Sequence, residues 1–178
     1  MEQNPRRRET AGGADREIRG RRLLWLSALA TGLLAATSAA APAQAQFVDV
    51  TDTATVMRFA EKIGSAEIVP LDNGTPRIKG RTAGYNYDIQ FSGCEDNKNC
   101  RDIMFSSGFE VDGVKLATMT KFNGTQLYAR AYLSRKGDAF LELPVSVHGG
   151  ITEANMTRYF ERWRVALKDF AAATGYEK

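Results

Sequence analysis

From Tyr85 to Phe91, apolar and polar side chains alternate without a break: Tyr85, Tyr87, Ile89 and Phe91 fall on one face, and Asn86, Asp88 and Gln90 on the other. A period of two predicts a half-buried antiparallel strand. Beyond the loop 93–100 the chain resumes with Ile103 and Phe105 sharing a face, which predicts the second strand of a hairpin. Residues 126–133 alternate as well, with Leu127, Ala129, Ala131 and Leu133 on one side and Tyr128, Arg130 and Tyr132 on the other. After a turn at 134–138, Leu141, Leu143, Val145 and Val147 share a face opposite Phe140, Glu142, Ser146 and His148, completing a second hairpin.

Three stretches carry the helical period instead. Val56, Phe59, Ala60 and Ile63 recur at helical spacing, after Thr51, Asp52 and Thr53 as candidate N-caps and before Gly64 as a stop. Leu116 and Met119 lie three apart in a short run that Asn123 and Gly124 end, which predicts a short helix. The longest run begins at Thr152 as N-cap, with Glu153 in the first turn, and repeats Met156, Tyr159, Phe160, Trp163, Leu167, Phe170 and Ala171. This stripe of about five turns must cover a sheet or another helix. Between the first helix and Tyr85, a short strand, a turn at Asp72, Asn73 and Gly74, and a strand near 77–81 are expected. Pro70 and Pro76 each lack an N–H and confine these to edges or strand ends. The expectation is an α+β fold: an antiparallel sheet of about five strands packed with an N-terminal, a short middle and a long C-terminal helix.

The first 46 residues do not belong to this pattern. An arginine-rich stretch leads into an apolar run from Leu23 and then into small residues ending at Ala43, Gln44 and Ala45, the three-part arrangement of a cleaved signal peptide. The run is short for a membrane span, although its alanines leave an uncleaved anchor as the alternative, and the export route stays open. Cleavage near Gln46 leaves one domain, 47–178, with no stable membrane span. It also changes the charge: removing seven of 24 basic and four of 21 acidic side chains leaves 17 of each. The net +3 of the whole chain therefore resides in the leader, and nothing supports a nucleic-acid partner.

Compartment decides the reading of the only two cysteines, Cys94 and Cys100, in Gly-Cys-Glu-Asp-Asn-Lys-Asn-Cys. Structural zinc takes four ligands, and only His148 could join these two; a redox centre wants C-x-x-C at a helix start. In an oxidising envelope a disulfide that pins the register of the first hairpin is the favoured reading. No metal or cofactor is expected.

The remaining candidates are weaker. Ser146 precedes the sole histidine, His148, by two residues on one strand face, but without a strand-to-helix elbow the pair makes a poor nucleophile site. Glu95 and Asp96 sit beside Lys98 and read as solvated surface. N-x-T triplets occur at Asn73, Asn123 and Asn155, and Asn-Gly turns account for two of them. Tyr128, Arg130, Tyr132 and Phe140 project from the polar side of their strands. Such aromatics with an arginine form either a partner-binding surface or a second core layer, according to which sheet face the helices cover.

The stretches Gly-Tyr-Asn-Tyr-Asp-Ile-Gln-Phe-Ser-Gly-Cys with Cys100 across the turn, 119–133 with Phe122 and Asn123, and 149–163 give the chain its likeness from Phe47 to about Gly175. Their order and spacing resemble the YbjN-domain family of bacterial sensory-transduction regulators. The resemblance implies an α+β fold similar to that of type III secretion chaperones, which bind partner polypeptides and commonly dimerise. It implies no catalytic activity. The expectation is therefore an exported, non-enzymatic protein-binding domain, a regulator or chaperone-like adaptor of a bacterial periplasm or exterior. The alternatives are an enzyme with a site near His148 and a structural homodimer.

Overall fold

The computed structural model describes residues 46–50 and 52–176. The leader read over 1–46, apart from Gln46, and the candidate cap Thr51 lie outside the described residues. Within them the order is β1 (Phe47–Val48), α1 (Thr53–Ile63), β2 (Ser65–Ile68), β3 (Arg77–Thr82), β4 (Tyr85–Ser92), β5 (Asp102–Phe109), α2 (Leu116–Asn123), β6 (Arg130–Leu133), β7 (Ala139–Ser146), β8 (Ile151–Thr152) and α3 (Glu153–Thr174). The main sheet is antiparallel, with strand order β2-β3-β4-β5-β7-β6. It thus has six strands where about five were expected. A two-stranded ribbon, β1 with β8, ties the start of the domain to the entrance of α3, and two-residue strands are too short to show a period.

Each helix starts and stops on the chemistry of its ends. Asp52 caps α1: its Oδ1 accepts the Ala54 N–H at 3.0 Å and its Oδ2 the Thr55 hydroxyl at 3.1 Å. Thr152 caps α3 by accepting the Asn155 N–H at 3.2 Å, and Gly175, at φ 72°, provides the left-handed exit. In α2 the buried pair is Met119 with Phe122, whereas Leu116, expected on that face, is 69 % exposed because it sits at the first position of the helix.

All three helices pack on one face of the sheet. Ile78, Tyr87, Ile89, Phe105, Leu141, Leu143 and Val145 are buried there, under the α3 stripe of Met156, Phe160, Trp163, Leu167 and Phe170. Phe105 sits at the centre, 4.9 Å from the Phe160 ring and 5.5 Å from Trp163 between centroids. Tyr87 meets Trp163 edge-on at 6.0 Å, and Phe170 joins Phe109 to Phe122 at 5.1 and 5.2 Å. Edge-to-face and tilted contacts of this kind add to simple area burial.

The β6 strand is shorter than its alternation predicts, beginning at Arg130, and Leu127, expected on the buried side, is 87 % exposed. Pro144 supplies the reason. The Val147 N–H bonds the Arg101 carbonyl, so odd-numbered residues of β7 bond β5 and even-numbered ones face β6. Pro144 therefore turns its missing N–H toward β6. The ladder ends at the Arg130–Glu142 pair, and residues 126–129 leave the sheet.

The cysteine loop is a hairpin tip within the β4–β5 connection. Glu95 and Lys98 exchange both backbone hydrogen bonds around Asp96 and Asn97, whose φ values of 49° and 59° are those of a type I′ turn. Cys94 and Cys100 are disulfide-bonded across its base. Asn97 reaches the β2–β3 turn, accepting from the Thr75 hydroxyl at 3.4 Å and donating to the Asn73 carbonyl at 3.5 Å.

Candidate partner-binding site

With every helix on one side, the opposite face of the sheet lies open. One register row crosses all six strands there: Glu67, Lys79, Asp88, Ser106, Glu142 and Arg130. Side chains of unlike charge are directly opposed along it, Glu67 with Lys79, Lys79 with Asp88 and Glu142 with Arg130, and the last of these is an ion pair at 2.7 Å. A shallow depression of about 760 Å³ runs along it, bordered by Glu67, Lys79, Arg81, Asn86, Asp88 and Phe140.

At the β6–β7 end the face carries a bound network. Tyr132 and Phe140 are register partners whose rings stack at 5.5 Å with 13° between planes. Glu142, 8 % exposed, uses both carboxylate oxygens: Oε2 accepts from Arg130 Nε at 2.9 Å and Nη2 at 2.7 Å, and Oε1 accepts the Tyr132 hydroxyl at 2.8 Å. Burial first, then the hydrogen bond to Glu142 and its charge, hold the Tyr132 phenol above its ordinary pKa, with Arg130 opposing. Room for the Phe140 ring comes from Gly108, where a Cβ would sit 2.9 Å from the ring edge.

Of the four residues singled out by strand alternation, Arg130, Tyr132 and Phe140 share this open face. Tyr128 does not. It precedes the strand that Pro144 truncates, and its ring lies under the Arg162 guanidinium of α3 at 3.7 Å, so it belongs to a second surface. Sequence reasoning missed Glu142 as the hub, because a glutamate on an alternating strand reads as solvated until a register places Arg130 and Tyr132 beside it. It also missed Arg162, whose spacing of four from Arg158 marks only an exposed helix face.

The cysteines lie away from both surfaces, beside a small hollow that includes Val50, Val147 and His148. His148 and Ser146 are exposed, and no hydrogen bond joins them among the described residues. Among those residues, too, no three His, Cys, Asp or Glu side chains gather as a metal site, and no helix is long and apolar enough to cross a membrane.

The fold and this face define a small α+β domain, a sheet clad by helices on one side and presenting a charged, aromatic surface on the other. The family model described as "Putative bacterial sensory transduction regulator", YbjN, matches residues 52–175, and the chain belongs to that family. Among solved structures it is similar to the crystal structure of YbjN from E. coli, described as "a putative transcription regulator", with 15 % identity, a TM-score of 0.48, and coverage of 70 % of this chain and 94 % of that one. No curated protein matches.

Proposed function

We propose that the protein is an exported, non-enzymatic binding domain of the cell envelope that contacts another polypeptide through the open sheet face and acts as a regulator or chaperone-like adaptor. The observation that carries this reading is the stacked Tyr132–Phe140 pair, 38 % exposed at Tyr132 and locked in place by Glu142. Aromatic side chains and arginine are enriched at partner interfaces, and groups already immobilised lose less entropy on binding. Membership of a family described as regulatory supports the same role. Export rests on the leader pattern of residues 1–46, whose removal leaves one domain, 47–178, and on a disulfide of the kind that persists in oxidising compartments.

The test is a photo-crosslinking amino acid introduced at Tyr132 of the full chain in its own cells, with Glu61 on the exposed side of α1 as the control position. A second polypeptide trapped from position 132 and not from position 61 is the expected result. Equal trapping from both, or none from 132, refutes the reading. An adduct of twice the chain's own mass replaces the foreign partner with a second copy.

A further inference from the structure

The displaced segment 126–129 leaves a cleft of about 540 Å³ between itself and α3. Its floor is apolar, made of the buried side chains of Ala129, Leu143 and Ala166, and its rim carries Tyr128 and Val165, exposed at 47 and 52 %. Leu127, the most exposed large apolar side chain among the described residues at 87 %, stands next to Tyr128. Arg158, Arg162 and Arg164 supply positive charge to the same cleft against the single carboxylate of Glu161, which pairs with Arg158 at 3.6 Å. Neither Arg162 nor Arg164 has a carboxylate partner among the described residues.

Arg162 is held in a defined posture. Its guanidinium stacks on the Tyr128 ring at 3.7 Å and approaches Tyr159 at 5.7 Å. Stacking occupies the face of the guanidinium and leaves its edge donors free, and that edge matches a carboxylate in bidentate fashion. An apolar floor, an unneutralised planar cation and exposed leucine and valine call for a ligand of opposite charge that also brings an apolar group.

From this complementarity we infer that the cleft between 126–129 and α3 is a docking site for an acidic, apolar segment of a partner polypeptide, with a carboxylate of that segment on Arg162 and an apolar side chain over Ala129 and Ala166. The site lies on the helix-clad side and shares no residue with the Tyr132–Phe140 face. It therefore stands or falls separately from the proposal for that face.

The probe is a fluorescent peptide of alternating Asp and Leu, compared by anisotropy with its Asn/Leu counterpart on the purified full chain. The Asp/Leu peptide is expected to bind about tenfold more tightly, a difference of ~1.4 kcal/mol. Arg162→Ala should reduce it to the Asn/Leu level, and Arg162→Lys should restore only part, because an ammonium cannot form the paired bonds. Val165→Asp places a carboxylate at the exposed rim; it should abolish binding with an unchanged melting temperature, which covers the case of an Arg162 variant that folds poorly. Equal affinities for the two peptides, no binding of either, or full affinity in Arg162→Ala and Val165→Asp overturns the inference. So does tighter binding to vesicles of anionic phospholipid that Arg162→Ala abolishes, since the cleft would then serve a membrane surface.

Discussion

The Asn123 carboxamide pairs with the main chain of Ala131 as a neighbouring strand would: its Oδ1 accepts the Ala131 N–H at 2.7 Å and its Nδ2 donates to the Ala131 carbonyl at 2.9 Å. Arg130 and Tyr132 face β7, so Ala131 and Leu133 are the residues of β6 whose peptide groups point out of the sheet. An open edge of that kind invites pairing with another chain. One side chain at the end of α2 closes it at Ala131.

Asn123→Ala should therefore cost about 1–3 kcal/mol, since two main-chain groups lose their partners. Asn123→Asp keeps the acceptor and loses the donor, so its loss should be intermediate. Urea unfolding of the three proteins measures the order, and light scattering should show the alanine variant self-associating most readily. An alanine variant as stable and as monodisperse as the parent would mean that water serves Ala131 equally well.

The Cys94–Cys100 bridge closes a very short loop, for which the chain-entropy argument gives roughly 2 kcal/mol of stabilisation. Cys94→Ser should lower the melting temperature under oxidising conditions and differ little from the parent once reductant is present. Equal losses in both conditions would assign the effect to packing of the Cys94 side chain, which is partly buried against the core.

Tyr87 is 3 % exposed, and its hydroxyl has no hydrogen-bond partner among the described residues; Trp163 Nε1 shares that condition. Burial pushes the phenol up to about 12 from 10.0. A raised pKa stabilises the fold fully below the unfolded value, and the contribution drains away between pH 10 and about 12, as the unfolded chain ionises first. Tyr87→Phe should be as stable as the parent or more so at neutral pH, because it deletes an orphaned polar group. It should also lose stability less steeply across that alkaline window, by at most ~1.4 kcal/mol per pH unit. Urea midpoints from neutral pH upward report both effects; a parallel alkaline decline in the two proteins would show the hydroxyl to be solvated.

Gly64 ends α1 in an extended conformation, φ 172°, which any residue adopts, yet a Cβ there would collide with the Arg81 carbonyl oxygen of β3. The obstacle is backbone, so it cannot rotate away. Gly64→Ala should cost about 3 kcal/mol. Gly113→Ala is the contrast: its φ is 76° with nothing within 4 Å, so only the dihedral penalty of roughly 1–2 kcal/mol applies. Thermal melts that ranked the two the other way round would show that α1 can shift away from β3.

Much of this architecture follows from local pattern. Alternation in Tyr85 to Phe91 and the three-and-four spacing from Met156 to Ala171 encode which side chains are buried, because side chains return to one face about every two residues in a strand and about every 3.6 in a helix. The Thr152 cap, the stop at Gly64 and a cap among Thr51, Asp52 and Thr53 are equally legible, since their chemistry acts within a few residues. What tertiary structure decided was which sheet face the helices leave bare, and so whether Arg130, Tyr132 and Phe140 lie outside. It also decided that Pro144, sixteen positions beyond Tyr128, ends a ladder on a different strand and sends Tyr128 to Arg162. Glu142 became a hub and Asn123 an edge cap only when register and helix docking set them against their partners. Alternation tells each side chain which way to point from its own strand; which neighbour it meets depends on contacts between segments distant in the chain, and those arise only when the sheet and its helices assemble.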